Sequence, residues 1–73
     1  MTAQELFRKA FLGQREPRSE EYKSGILAAL RYRIEGMPIK CPYGQGTAAA
    51  DAFMAGVEEG HSIWRAENSK NQG

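Results

Sequence analysis

The 73-residue chain carries ten Lys and Arg against nine Asp and Glu, with one His, one Cys and a net charge of +1. At this size only about 60% of the unfolded surface can be buried, which allows one small domain and leaves little room for an enzyme pocket. The balanced charge excludes a nonspecific DNA coat, which needs a large basic excess, and the lone Cys41 excludes an intrachain disulfide.

The opening "TAQE" is a capping box, in which Thr2 accepts from the Glu5 amide and the Glu5 side chain returns to the Thr2 amide. Behind it Ala3, Leu6, Phe7, Ala10 and Phe11 fall on one helical face, and Gly13 suits the position after a helix end. The pattern predicts a first helix over about residues 3 to 12. Such a short helix is marginal alone, so its phenylalanines must pack on something.

The polar segment "GQREPRS" follows and ends on Ser19, a good N-cap with Glu20 and Glu21 in the turn where the helix dipole favours acids. Tyr22, Ile26, Leu27, Leu30 and Ile34 form the apolar stripe of a second helix from about 20 to 35, stopped by Gly36 and Pro38. Leu27 and Leu30 are expected in the core. Gly25 costs up to about 1 kcal/mol relative to Ala in a helix interior, a cost that close approach of another helix would account for, and chance placement equally.

The segment "GMPIKCPYGQG", with two prolines and three glycines, reads as a connector. Thr47 is the next N-cap. Ala49, Phe53, Gly56, Val57, Gly60, Ile63 and Trp64 then repeat at three and four residues, predicting a third helix from about 48 to 66 with Phe53 and Val57 in the core. Gly56 and Gly60 form a small-xxx-small pair that can admit a neighbouring backbone. Residues 67–73, "ENSKNQG", read as a frayed, disordered tail. The expected fold class is all-α: two longer helices in a hairpin joined by a Pro/Gly connector, plus a short N-terminal helix, forming one domain over residues 1–66.

Several chemistries are missing. No apolar run approaches the roughly 20 residues that span a bilayer, and the N-terminus lacks the order of a signal peptide, so a soluble cytoplasmic protein with no membrane partner is expected. One Cys and one His do not make a four-ligand zinc site. "GQG" has neither the flanking strand nor the third glycine of a dinucleotide fingerprint. His61 reads as an exposed residue and Cys41 as a small half-buried one. No cofactor, no metal and no catalytic residue is expected. The charge is asymmetric: residues 1–40 hold eight Lys and Arg against five Glu, a net of +3, and residues 41–73 hold two against four acids, a net of −2.

The order of "RYRIEGMPIKCPY" (32 to 43, with Arg31 leading in), a short gap, and a helix carrying "ADAFMAGVEEG" (50 to 60) resembles the ribosome modulation factor family of short bacterial and phage-encoded chains. The likeness covers roughly residues 22 to 60, about half the chain, and "CPY" before a helix is its most specific element. It implies two helices joined by a connector that holds this motif. It also implies a non-enzymatic regulator that binds the small ribosomal subunit or its RNA and promotes inactive ribosome dimers in starved cells. Carried over, Cys41, Pro42 and Tyr43 shape the connector, and Arg31, Arg33 and Lys40 contact RNA. Arg31 and Arg33 diverge by about 200° on a helix, so only one of them is expected beside Lys40.

The residues themselves give the connector a structural reading as well. Pro42 restricts Cys41 to extended backbone, Gly44 and Gly46 allow a sharp turn before Thr47, and Tyr43 can lay its ring over the helix junction. A second functional class is a small protein-interaction module, an accessory or phage-encoded inhibitor that binds a host or cellular protein or forms a homodimer. Its support is Leu6, Phe7, Phe11 and Leu12: a lone apolar helix needs a groove, which a second subunit could provide. In this reading Leu6, Phe7, Phe11 and the Cys41–Pro42–Tyr43 loop are partner contacts. A helix-turn-helix DNA reader is disfavoured because the turn between the last two helices is about eleven residues, against three or four in that motif.

Overall fold

The computed structural model describes residues 2–11 and 19–72, without the side chains of 11 and 70–72. It holds three helices and, among the described residues, no strand: α1 (Ala3–Phe11), α2 (Glu20–Glu35) and α3 (Ala48–Gln72). Gly13, Pro17 and Leu12 lie outside the described residues.

Each helix begins where its cap dictates. The Glu5 amide donates to Thr2 Oγ1 and the Thr2 amide to Glu5 Oε1, both at 3.1 Å, closing the capping box. The Tyr22 amide donates to Ser19 Oγ at 3.2 Å. The Ala50 amide donates to Thr47 Oγ1 at 3.1 Å, and the Thr47 hydroxyl donates to the Gly44 carbonyl at 2.7 Å. At the other end of α2, Gly36 takes φ 73°, and the Gly36 and Met37 amides donate to the Tyr32 and Arg31 carbonyls.

The third helix does not stop near residue 66. It continues to Gln72, so residues 67–72, read as part of a disordered tail, are helical. No glycine or proline interrupts residues 61–72. Glu67 is also held from outside its own helix, by Lys9 Nζ at 2.9 Å across the α1–α3 contact. Asn68 Nδ2 donates to the Trp64 carbonyl at 3.1 Å.

Two apolar clusters make the core. One gathers Ala3, Leu6, Ile26 and Leu30, with Phe7, Tyr22, Leu27, Ile34, Ile63 and Trp64 packed around them. The other gathers Ala29, Phe53 and Val57, with Ala28, Ile39 and Tyr43 against it. Leu30, Phe53 and Val57 are buried as expected, but Leu27 is only half-buried. Ile26, 100° away on the helix, takes the interior place instead. Leu6 is buried and Phe7 half-buried within the first cluster. The groove that the first helix needs is therefore supplied by its own chain, and Leu6, expected as a partner contact, is a core residue. Phe11 closes α1, and its side chain lies outside the described residues.

Glycines set the distance between α2 and α3. A Cβ placed on Gly25 would run into the Phe53 carbonyl, and one on Gly56 into the Tyr22 carbonyl. One on Gly60 would come within 2.7 Å of both Ala29 Cβ and the Ile26 carbonyl oxygen. Of the two explanations for Gly25 the structure shows close approach, with Gly56 as its counterpart across the crossing. The contacts advance together along both chains: Gly25 meets Phe53 and Val57, Ile26 and Ala29 meet Gly60, and Arg33 meets His61 and Trp64. The two helices therefore run in the same direction where they touch. The connector must then travel back along α2. Its twelve residues, 36–47, reach at most about 40 Å when extended, enough to return past a 16-residue helix about 24 Å long. Pro38 and Pro42 suit that extended path.

Candidate functional site: the connector face and its flank

The return path is pinned at two points. Ile39 and Tyr43 pack against the Ala29–Phe53–Val57 cluster. The Tyr43 ring meets Phe53 at 6.0 Å between centroids with planes 65° apart, an edge contact. Between these anchors Lys40, Cys41 and Pro42 are exposed. Cys41 is thus not the half-buried residue expected; its thiol faces solvent and donates weakly to the Tyr43 carbonyl at 3.6 Å. The turn that follows uses Gly46, at φ 80°, whereas Gly44 keeps an ordinary backbone conformation and serves through its carbonyl. Cys41, Tyr43, Gly46, Ala50 and Met54 line a shallow concavity of about 350 Å³, with Asp51 on its wall.

The three expected cations are not equivalent. Lys40 is exposed and Arg31 half-exposed, and among the described residues neither makes a side-chain hydrogen bond or ion pair. Arg33 is turned to α3. Its Nε donates to His61 Nδ1 at 3.0 Å, and its guanidinium lies 4.8 Å from the centroid of the Trp64 ring. The structure thus engages Arg33 in the helix pair and leaves Arg31 and Lys40 as the unpaired cations.

That flank holds a group of residues which the sequence reading did not assemble. Tyr32 meets His61 edge to face, with centroids 6.3 Å apart and planes 86° apart. His61, expected to be exposed, is half-buried between Tyr32 and Arg33. Because Nδ1 accepts, the neutral ring carries its proton on Nε2. Burial holds the His61 pKa below its ordinary 6.5; the positive charges of Arg33 and Arg65 act the same way, and Glu58 opposes them. Tyr32 and Arg33 lie some thirty residues from His61 and Trp64 in the chain. The available signal was the spacing of His61, four residues after Val57 and three before Trp64, at the edge of the apolar stripe of α3.

No metal-binding group of three or more Cys, His, Asp or Glu exists among the described residues. No helix there is long and apolar enough to cross a membrane. No protein-family model, curated protein or solved structure matches the chain.

Proposed function

We propose that the protein is a small non-enzymatic regulator that binds the small ribosomal subunit or structured RNA through its connector face, in the manner that its likeness to the ribosome modulation factor family implies. The observation that carries this reading is the pinned stretch Lys40–Cys41–Pro42. It is fixed on the core at Ile39 and Tyr43 and exposed between them, with Lys40 unpaired. A backbone held at both ends loses less entropy on docking than a free one, and unpaired cations are what a phosphate backbone recruits. Arg31 supplies the second such cation. With so few cations, affinity must come as much from shape as from charge.

The experiment is co-sedimentation of the chain with small ribosomal subunits at two salt concentrations, comparing the natural sequence with the double variant Arg31→Gln, Lys40→Gln. Removing two phosphate contacts should lower the log–log salt slope by roughly 1.4, at about 0.7 per single-strand phosphate. Unchanged association of the variant, or no association of the natural chain at low salt, would reject this reading.

A second reading has one observation in its favour. Met54, half-exposed at 50%, borders the concavity beside Tyr43 and Cys41, and exposed methionine suits adaptable protein contacts. A host or cellular protein, or a second copy of the chain, would then occupy that face. In that case Met54→Lys abolishes the association while Arg31→Gln with Lys40→Gln leaves it intact.

A further inference from the structure

The geometry points to a base-stacking platform beside the connector: Tyr32, held against the Arg33–His61–Trp64 cluster, receives an unpaired nucleobase of single-stranded RNA. This rests on the RNA reading above and adds a second contact to it, chemically unlike the first.

Tyr32 is 49% exposed although its ring is fixed by the edge contact with His61. An exposed ring with a set orientation is ready to stack, because little freedom remains to be lost on binding. Beside it, the Arg33 guanidinium is oriented twice, by the His61 acceptor at Nε and by the Trp64 face beneath it. Its terminal amino groups make no hydrogen bond to the described residues. A flat ring next to a guanidinium is the pairing by which single strands are read: the base stacks and the cation takes the adjoining phosphate. Arg33 and Arg65 place positive charge at His61, and Glu58 opposes them. The platform also adjoins the connector. The Tyr32 carbonyl accepts from the Gly36 amide at the residue where the connector departs. A strand that reaches the start of the connector can place a base on Tyr32. Duplex RNA cannot, because its bases are already stacked.

The test uses labelled single-stranded oligoadenylate of about a dozen nucleotides, within the usual site size for single-strand binders, and reads fluorescence anisotropy at two salt concentrations. Tyr32→Leu should weaken binding about five- to 150-fold, the measured range for one base–aromatic stack, without changing the salt slope. Tyr32→Phe should bind within about twofold of the natural chain, since a ring without the hydroxyl still stacks. Circular dichroism should show the same helix content in both variants. As a check independent of any substitution, the natural chain should bind single-stranded oligoadenylate more tightly than its duplex with oligouridylate.

If Tyr32→Leu binds like the natural chain while Arg31→Gln with Lys40→Gln weakens binding, the platform is refuted and the RNA reading survives. If the natural chain binds small subunits but no single strand, the platform again fails alone. If it binds neither, both fail.

Discussion

The glycines of the helix crossing and those at the two ends of the connector do opposite work. At Gly25, Gly56 and Gly60 the backbone is ordinary helix and the space is gone, because a Cβ would strike the facing helix. At Gly36 and Gly46 the space is open, with nothing within 4 Å, and the backbone is left-handed, at φ 73° and 80°. One set is required by what lies opposite, the other by how the chain turns. The difference shows how so small a chain holds an exposed loop still. The crossing lets α2 and α3 approach closely enough to make a core. The turning glycines then lead the connector out of α2 and into α3, across that core. The two sets should therefore respond differently to the same substitution.

The largest effect belongs to the crossing. In an open helix, Gly→Ala gains up to about 1 kcal/mol. Here the sign should reverse: Gly25→Ala and Gly56→Ala should each destabilise by about 3 kcal/mol, the upper part of the usual range for overpacking, because both obstacles are backbone carbonyls. The double variant should lose its helical circular dichroism at 25 °C. A Gly25→Ala chain that melts higher than the natural one would show that the helices do not approach as described.

Leu30→Ala removes fully buried volume beside the same crossing and should cost about 2 to 5 kcal/mol, a large share of the stability of a domain this small. Urea titration should show a lower midpoint. A midpoint equal to that of the natural chain would place Leu30 outside the core.

At the connector the effect is smaller. Gly36→Ala meets no neighbour and should cost only the left-handed conformation, about 1 to 2 kcal/mol. Gly36→Asn should recover part of that loss, since Asn tolerates the left-handed region. Equal losses at Gly36 and Gly56 in parallel thermal melts would erase the distinction between the two sets.

The smallest effect is one of pH. The folded state holds the His61 pKa below 6.5, chiefly through burial, so the folded chain binds fewer protons there than the unfolded one. The neutral ring's contribution is complete above the unfolded pKa and is lost as pH falls through the folded value. Protonation would also remove the Nδ1 acceptor from Arg33. Stability should decline modestly below about pH 6.5, the unperturbed histidine value, and His61→Gln should flatten the decline. Glu5 acts in a lower window. Its hydrogen bonds with Thr2 lower its pKa from 4.5, so its contribution is present above that value and fades at more acid pH.

Much of this fold was legible because its determinants are local. Thr2 with Glu5, Ser19 and Thr47 mark the helix starts, and Gly36 marks the end of α2, through hydrogen bonds made within a few residues. Those signals give the all-α class and the first two helices almost to the residue. The end of α3 was not legible. It has no stop residue before Gly73, and Glu67 pairs with Lys9, 58 positions away. The small-residue spacing of Gly56 and Gly60 was visible, but not that it would be answered by Gly25 and Ala29. The same holds for the site. Lys40 to Tyr43 are contiguous and stood out, whereas Tyr32, Arg33, His61 and Trp64 meet only because α2 and α3 run in the same direction. The apolar face of α1 was read as needing a partner because its own groove, around Ile26, Leu30 and Ile63, is assembled from distant segments.

The central claim is that the exposed stretch between Ile39 and Tyr43 is the contact face, and Cys41 reports on it. It is the only cysteine in the chain, and its thiol is exposed within that stretch. The measurement is the rate of Cys41 alkylation by iodoacetamide, with and without saturating small ribosomal subunits. Contact through the connector predicts at least a tenfold slower reaction when subunits are present, with the free rate restored at high salt as phosphate contacts are screened. An alkylation rate unchanged by subunits that demonstrably bind the chain would place the interface elsewhere and contradict the account.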